Sequence, residues 1–127
     1  MSKYNSSKIK IDGILFDSRK EAARYSQLRL LQRAGQISDL RLQVRFELLP
    51  AQYADTDKVY LKGPRKGQHK RRCIEQSVVY FADFVYTECG TRKTVVEDTK
   101  GMRTKDYIIK RKLFRWRFGS QYEFREV

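Results

Sequence analysis

Residues 8–16 read KIKIDGILF, with apolar positions alternating or clustering on either side of Asp12-Gly13. A hairpin of two short strands is expected there, because Asp-Gly is a strong signal for a tight hairpin turn. Ser18 and Glu21 then stand three residues apart, as in a capping box, with Ser18 at the N-cap. The run AARYSQLRLLQRAG carries Ala23, Leu30, Leu31 and Ala34 at helical spacing before Gly35 and predicts a helix of about four turns. Over 40–48, Leu42, Val44, Phe46 and Leu48 fall on one face and Arg41, Gln43, Arg45 and Glu47 on the other, as in a half-buried strand that ends before Pro50. From 51 to 76 the apolar pattern fails, which predicts a long loop or an extended hairpin arm. The most apolar stretch, VVYFADFVY at 78–86, then a Cys89-Gly90 turn and TVVEDTK at 94–100 predict a central antiparallel hairpin. A second helix should start near Thr104 and carry Ile109, Leu113 and Trp116 inward, with Lys105, Lys110, Arg111, Lys112, Arg115 and Arg117 on its other sides. In the closing QYEFREV, Tyr122 and Phe124 alternate as in a last strand after a stop at Gly119. The expected order is hairpin, helix, strand, arm, strand, strand, helix, strand: an α/β fold with helices packed on a mixed sheet.

Length and charge narrow this picture. At 127 residues the chain is expected to form a single domain with one core of ordinary size. Its 28 Lys+Arg against 15 Asp+Glu give a net charge of +13, more than solubility requires, so a polyanionic partner is expected, nucleic acid before an acidic membrane surface. Lys62, Arg65, Lys66, Lys70, Arg71 and Arg72 meet no acid in the arm sequence LKGPRKGQHKRR, which suits it to lie along phosphates. No stretch approaches the ~20 apolar residues of a membrane span, and the N-terminal residues lack the apolar core of a signal peptide, so a soluble, cytoplasmic protein without membrane association is expected. Two cysteines and one histidine cannot supply a four-ligand zinc site. No disulfide is expected either, since a strand over 74–86 would hold Cys73 and Cys89 on the order of 40 Å apart. His69 lies in a polar, Gly-rich, basic stretch and has no evident nucleophile to serve. Catalysis, if there is any, falls to carboxylates and lysines.

Asp83 stands in the middle of the most apolar stretch, where an unpaired carboxylate is costly to bury unless it is neutralised, paired or used to hold a cation. Asp98 and Lys100, two residues apart on the next strand, share a face, while Glu97 and Thr99 share the other. If the hairpin brings that face to Asp83, two carboxylates and an ammonium converge. Two oxygen ligands with room for waters and a phosphate oxygen suit Mg²⁺ or Mn²⁺, and a lysine beside them can position a water or stabilise transition-state charge.

The residues DFVY (83–86) and EDTK (97–100), with an acid in the first helix, resemble the PD-(D/E)XK nuclease superfamily. More closely, FDSRKEA (16–22), LRLQVRFEL (40–48), YFADFVY (80–86) and VVEDTKGMRTKDY (95–107) look like a family of small phage-encoded, restriction-endonuclease-like proteins of unassigned role. The resemblance spans nearly the whole chain outside the arm. It implies a restriction-endonuclease-like core and Mg²⁺- or Mn²⁺-dependent hydrolysis of DNA phosphodiester bonds. Asp83 and Asp98 would be the metal-binding acids, the Thr99 carbonyl a further ligand, Lys100 the lysine that assists water, and Glu21 the helix acid. Two departures stand out: Ala82 replaces the proline before the first acid, and Glu97 precedes Asp98, although only Asp98 has the required offset from Lys100. Glu97 is therefore placed outside the metal site.

Two roles stay open for Glu21, the third acid or only a capping-box partner. Gln43 faces either substrate or solvent. Tyr107 and Lys110, near the start of the second helix, are positioned to approach a phosphate or else to face water, and Arg103 and Lys105 join the arm as candidate DNA contacts. The expected substrate is branched DNA such as a four-way junction, for which paired cuts favour a two-fold homodimer. A nonspecific nickase, a catalytic subunit that needs a partner, and a non-enzymatic DNA-binding or packaging protein are the alternatives. An RNA substrate finds no support in an aromatic stacking motif. No small-molecule cofactor is expected.

Overall fold

The computed structural model describes residues 8–99 and 103–127. Strands β1 (Ile9–Ile11) and β2 (Ile14–Phe16) form the first hairpin, with Asp12 and Gly13 at φ +51° and +79°. Glycine takes such angles without steric cost and aspartate tolerates them, which is why this pair makes the turn. Helix α1 (Arg19–Arg33) starts at Ser18, whose hydroxyl accepts from the Glu21 N–H at 3.1 Å. Strand β3 (Ile37–Leu49) precedes a ribbon of β4 (Gln52–Val59) and β5 (His69–Glu75). Strands β6 (Val78–Glu88) and β7 (Thr94–Asp98), helix α2 (Lys105–Phe118) and strand β8 (Glu123–Glu126) complete the order. Of the two forms open to segment 51–76, the chain takes the hairpin arm.

The main sheet is four-stranded, in the order β3-β6-β7-β8. Its first two pairings are antiparallel and the last, β7 with β8 after the α2 crossover, is parallel. The fold is thus mixed α/β, with the terminal hairpin and the ribbon as separate two-stranded sheets. Two apolar clusters lie on its opposite faces. One joins Phe16, Ala22, Tyr25, Leu28, Phe84, Tyr86 and Val95 beneath α1. The other joins Phe46, Leu48, Tyr80, Val85, Val96, Tyr107 and Phe114 beneath α2, where the rings of Phe46 and Phe114 meet edge-on with centroids 5.0 Å apart.

The faces of three elements differ from expectation. On α1 the buried stripe is Ala22, Tyr25 and Leu28, with Leu31 partly covered, whereas Ala23 and Ala34 are exposed and Leu30 is 65% exposed. On α2, Tyr107 and Phe114 point inward, while Ile109 and Trp116 are 56% and 81% exposed. In both helices apolar residues lie on more than one side, and the stripe that fits the aromatic cluster beneath it is the one that packs. On β3, Leu40 and Leu42 join the α1 cluster but Val44, Phe46 and Leu48 join the α2 cluster. A regular strand would hold all five on one face. Gln43 lies at this crossover with φ +50°, and β6 rolls over opposite it, since Tyr80 and Ala82 pack under α2 but Phe84 and Tyr86 under α1. Asp83 is the residue at the turnover on β6.

Gly119 ends α2 without left-handed backbone, at φ −62°. A Cβ there would stand 2.3 Å from the Arg115 carbonyl oxygen, so close packing is what requires glycine. Cys73 and Cys89 are free and exposed. No helix among the described residues is long and apolar enough to cross a membrane.

Candidate active site

The rollover of β3 and β6 directs Gln43 and Asp83 toward the N-terminus of α1. Gln43 Nε2 donates to Asp83 Oδ1 at 3.1 Å and to Glu21 Oε1 at 3.3 Å, linking β3, β6 and α1 through one amide. Asp83 Oδ2 accepts from both the backbone N–H and the hydroxyl of Thr99, each at 2.8 Å. Among the described residues, the hydrogen-bond partners of this strand carboxylate are Gln43 and Thr99.

Asp17, Glu21, Gln43, Asp83, Thr99 and Lys110 line one cavity of about 520 Å³, and Tyr80, Phe81, Asp106 and Tyr107 contribute to its walls. Among the described residues, four of the lining residues carry carboxylates and one carries an ammonium, in a chain whose net charge is +13. Burial is the main reason that the Glu21 carboxyl is raised from 4.5 to about 7, with Asp83 and Asp17 adding repulsion against a smaller opposing effect of the Gln43 hydrogen bond. Glu21 thus carries a cap N–H and also faces the cavity.

Asp98 is fully buried and does not line the cavity. It lies behind the wall, where the Tyr80 hydroxyl donates to its Oδ2 at 2.5 Å. Burial and the adjacent Asp98 carboxylate hold the Tyr80 hydroxyl well above its ordinary range, so it remains a donor. Lys100, the expected lysine of the site, lies outside the described residues. Glu97 is directed to the other side of the sheet, where Arg24 holds it with two bonds, Nε to Oε1 at 2.7 Å and Nη2 to Oε2 at 2.6 Å, and Tyr86 donates to Oε2. Among the described residues no group of three or more His, Cys, Asp or Glu is placed to hold a metal ion.

Of the other candidate contacts, Lys62, Arg65, Lys66, Lys70, Arg71 and Arg72 are exposed on the ribbon and its tip. Lys105 is exposed at the start of α2, and Arg103 Nε is paired with Glu126 Oε2 at 2.9 Å. Asp17, Tyr80, Phe81 and Asp106 were not singled out from the sequence. An acid just before a helix cap and another in a first helical turn were the available signals for Asp17 and Asp106.

The fold and site define a mixed α/β protein with an acid-lined cavity at the N-terminus of a helix. A family model described as "Protein of unknown function (DUF1064)" matches residues 1–126, and the chain belongs to that family. Neither the curated proteins nor the solved structures include a match.

Proposed function

We propose that this protein is a metal-dependent DNA endonuclease with a restriction-endonuclease-like core, acting on branched DNA in the cytoplasm. The mixed four-stranded sheet with a helix on each face supports that core. The observation that carries the activity is the cavity in which Glu21 and Asp83 share Gln43 and Glu21 is raised to about 7 among neighbouring carboxylates. Such crowding suits a hard cation, and Mg²⁺ commonly needs only one or two protein carboxylates besides waters and phosphate oxygens.

Asp83 and Glu21 would hold Mg²⁺ or Mn²⁺ from the cavity wall, with Asp98 behind them and the Thr99 carbonyl as the further ligand that the resemblance implies. When bound, the ion supplies Lewis-acid polarisation of the phosphoryl group and makes a bound water more acidic. Gln43 fixes Glu21 relative to Asp83, Thr99 fixes the orientation of Asp83, and Lys110 offers a cation to a phosphate entering the cavity. Lys100 is assigned the positioning of the attacking water. Paired cuts across a branch would need two such sites and hence a homodimer.

The test is incubation of the protein with matched linear, single-stranded, nicked and four-way-junction DNA and Mg²⁺ or Mn²⁺, beside folded Asp83→Asn and Lys100→Ala variants. Paired cuts on the junction, lost in both variants while DNA binding persists, are expected. Cutting of every substrate would make it an unselective nuclease or nickase. No cutting by well-folded natural protein would overturn a stand-alone enzyme and leave a binding or packaging role, or a subunit that needs a partner.

A further inference from the structure

The β4–β5 ribbon, like the β1–β2 hairpin, is a separate two-stranded sheet, but the hairpin packs against the α1 cluster whereas every residue of β5 is exposed. A two-stranded ribbon alone is marginal in water, so one that projects this way suits a partner that covers it. Its eight- and seven-residue strands span about 25 Å. Seven cations, Lys58 among them, lie between 51 and 76 against Asp55, Asp57 and Glu75. Among the described residues none of the seven is within ion-pair distance of an acid.

The ribbon also holds some of its cations in place. Arg71 stacks 4.8 Å from the Tyr53 ring centroid, and Lys70 and Arg65 approach the Tyr60 ring at 5.4 and 6.0 Å. Tyr53, Tyr60, Arg65, Gln68, His69 and Arg71 enclose a shallow cavity of about 430 Å³. A solvated charged loop would have no need of guanidiniums propped on tyrosines beside an amide and an imidazole. Those groups are the hydrogen-bonding side chains that reach base edges, and arginine in particular pairs with the O6 and N7 atoms of guanine.

We propose that the β4–β5 ribbon lies in the major groove of duplex DNA, presenting Arg65 and Arg71 to base edges while its remaining cations contact flanking phosphates. The B-form major groove is about 12 Å wide and admits a two-stranded ribbon, whereas the A-form RNA groove is too narrow for side chains to read. The proposal extends the DNA-cleavage reading by giving the substrate a duplex arm. Strands β3 and β6, which carry Gln43 and Asp83, run directly into the ribbon, and its base at Val78 is about 17 Å along the strand from Asp83. The duplex that it grips therefore lies within about 12 base pairs of the cutting point.

Dimethyl sulfate footprinting of the natural protein in EDTA, on duplex and junction DNA, separates the possibilities. The reagent methylates guanine N7 in the major groove and adenine N3 in the minor groove. Protection of N7 is expected, with loss of that protection and about tenfold or greater weakening in a folded Arg65→Ala/Arg71→Ala variant. Protection of N3 alone, equal affinity for duplex RNA, or unchanged binding by the variant would overturn the proposal. Because EDTA removes the metal, the footprint stands whether or not the protein cleaves. Junction DNA that is protected in EDTA but left uncut once Mg²⁺ or Mn²⁺ is added would count against the nuclease reading alone.

Discussion

Glu97 and Asp98 are neighbours on β7 and both are fully withdrawn from water, yet the two sides of the sheet treat them differently. Glu97 meets a guanidinium with two bonds and a phenol with a third, so its charge is compensated within the fold. Asp98 accepts from the Tyr80 phenol and stands behind a cavity whose described lining includes Asp17, Glu21, Asp83 and Asp106. A buried charge with its counter-ion supplied belongs to the architecture. A buried carboxylate behind a cavity of further acids stands where a hard cation would be drawn, which is the physical content of the metal-site proposal.

Removing the guanidinium that holds Glu97 should have the largest effect on stability. Arg24→Ala leaves Glu97 buried without its guanidinium, and loss of one partner of such a pair commonly costs about 3–5 kcal/mol. Partial exposure of Arg24, 23% for its side chain, puts the expectation at the lower end of that range. Urea unfolding measures it, and a loss under about 1 kcal/mol would mean that the pair contributes no more than a surface ion pair.

Tyr86→Phe and Tyr80→Phe each remove one phenol from a buried carboxylate and should each cost about 1–3 kcal/mol. Their response to millimolar Mg²⁺ should differ. A cation near Asp98 would replace the lost compensation, so the deficit of Tyr80→Phe should narrow on addition of Mg²⁺ while that of Tyr86→Phe stays constant. Equal responses in thermal melts would remove the distinction between the two faces.

None of this contrast could be read from β7 itself, where Glu97 and Asp98 are adjacent acids in an apolar run. The parity of the strand separates their faces, but the partner of Glu97 is 73 residues away on α1, and nothing local marks Arg24 among the other basic residues of that helix. The cavity is similar. Glu21 and Asp83 are legible one at a time and Asp17 and Asp106 are not, whereas the linkage of Glu21 to Asp83 through Gln43 depends on the rollover of β3 and β6, which a regular alternation of Leu42, Val44 and Phe46 conceals. Local chemistry fared better. The Asp12-Gly13 turn, the Ser18 cap and the start of α2 at Thr104 stand where expected because a turn or a helix start is decided within about four residues. Helix faces depend on what lies beneath them, and the α2 stripe of Ile109 and Trp116 lost to Tyr107 and Phe114 for that reason.

The smallest expected effect is also the most diagnostic for the cavity. Glu21 is raised from 4.5 to about 7 in the folded protein, so between those values the native state holds a proton that the unfolded chain has released. Stability from this group therefore falls as pH rises through that window and is lowest above about pH 7, where Glu21 is forced to ionise among Asp83 and Asp17. Glu21→Gln removes the ionisation while keeping an oxygen that can accept from Gln43. In EDTA the variant should melt above the natural protein at about pH 8 and coincide with it near about pH 4.5. Millimolar Mg²⁺ should close the gap at the higher pH, because the ion stabilises the carboxylate that glutamine lacks. A variant that melts lower at every pH would show that Glu21 acts as a structural partner of α1 and Gln43, and its place in a metal site would fall.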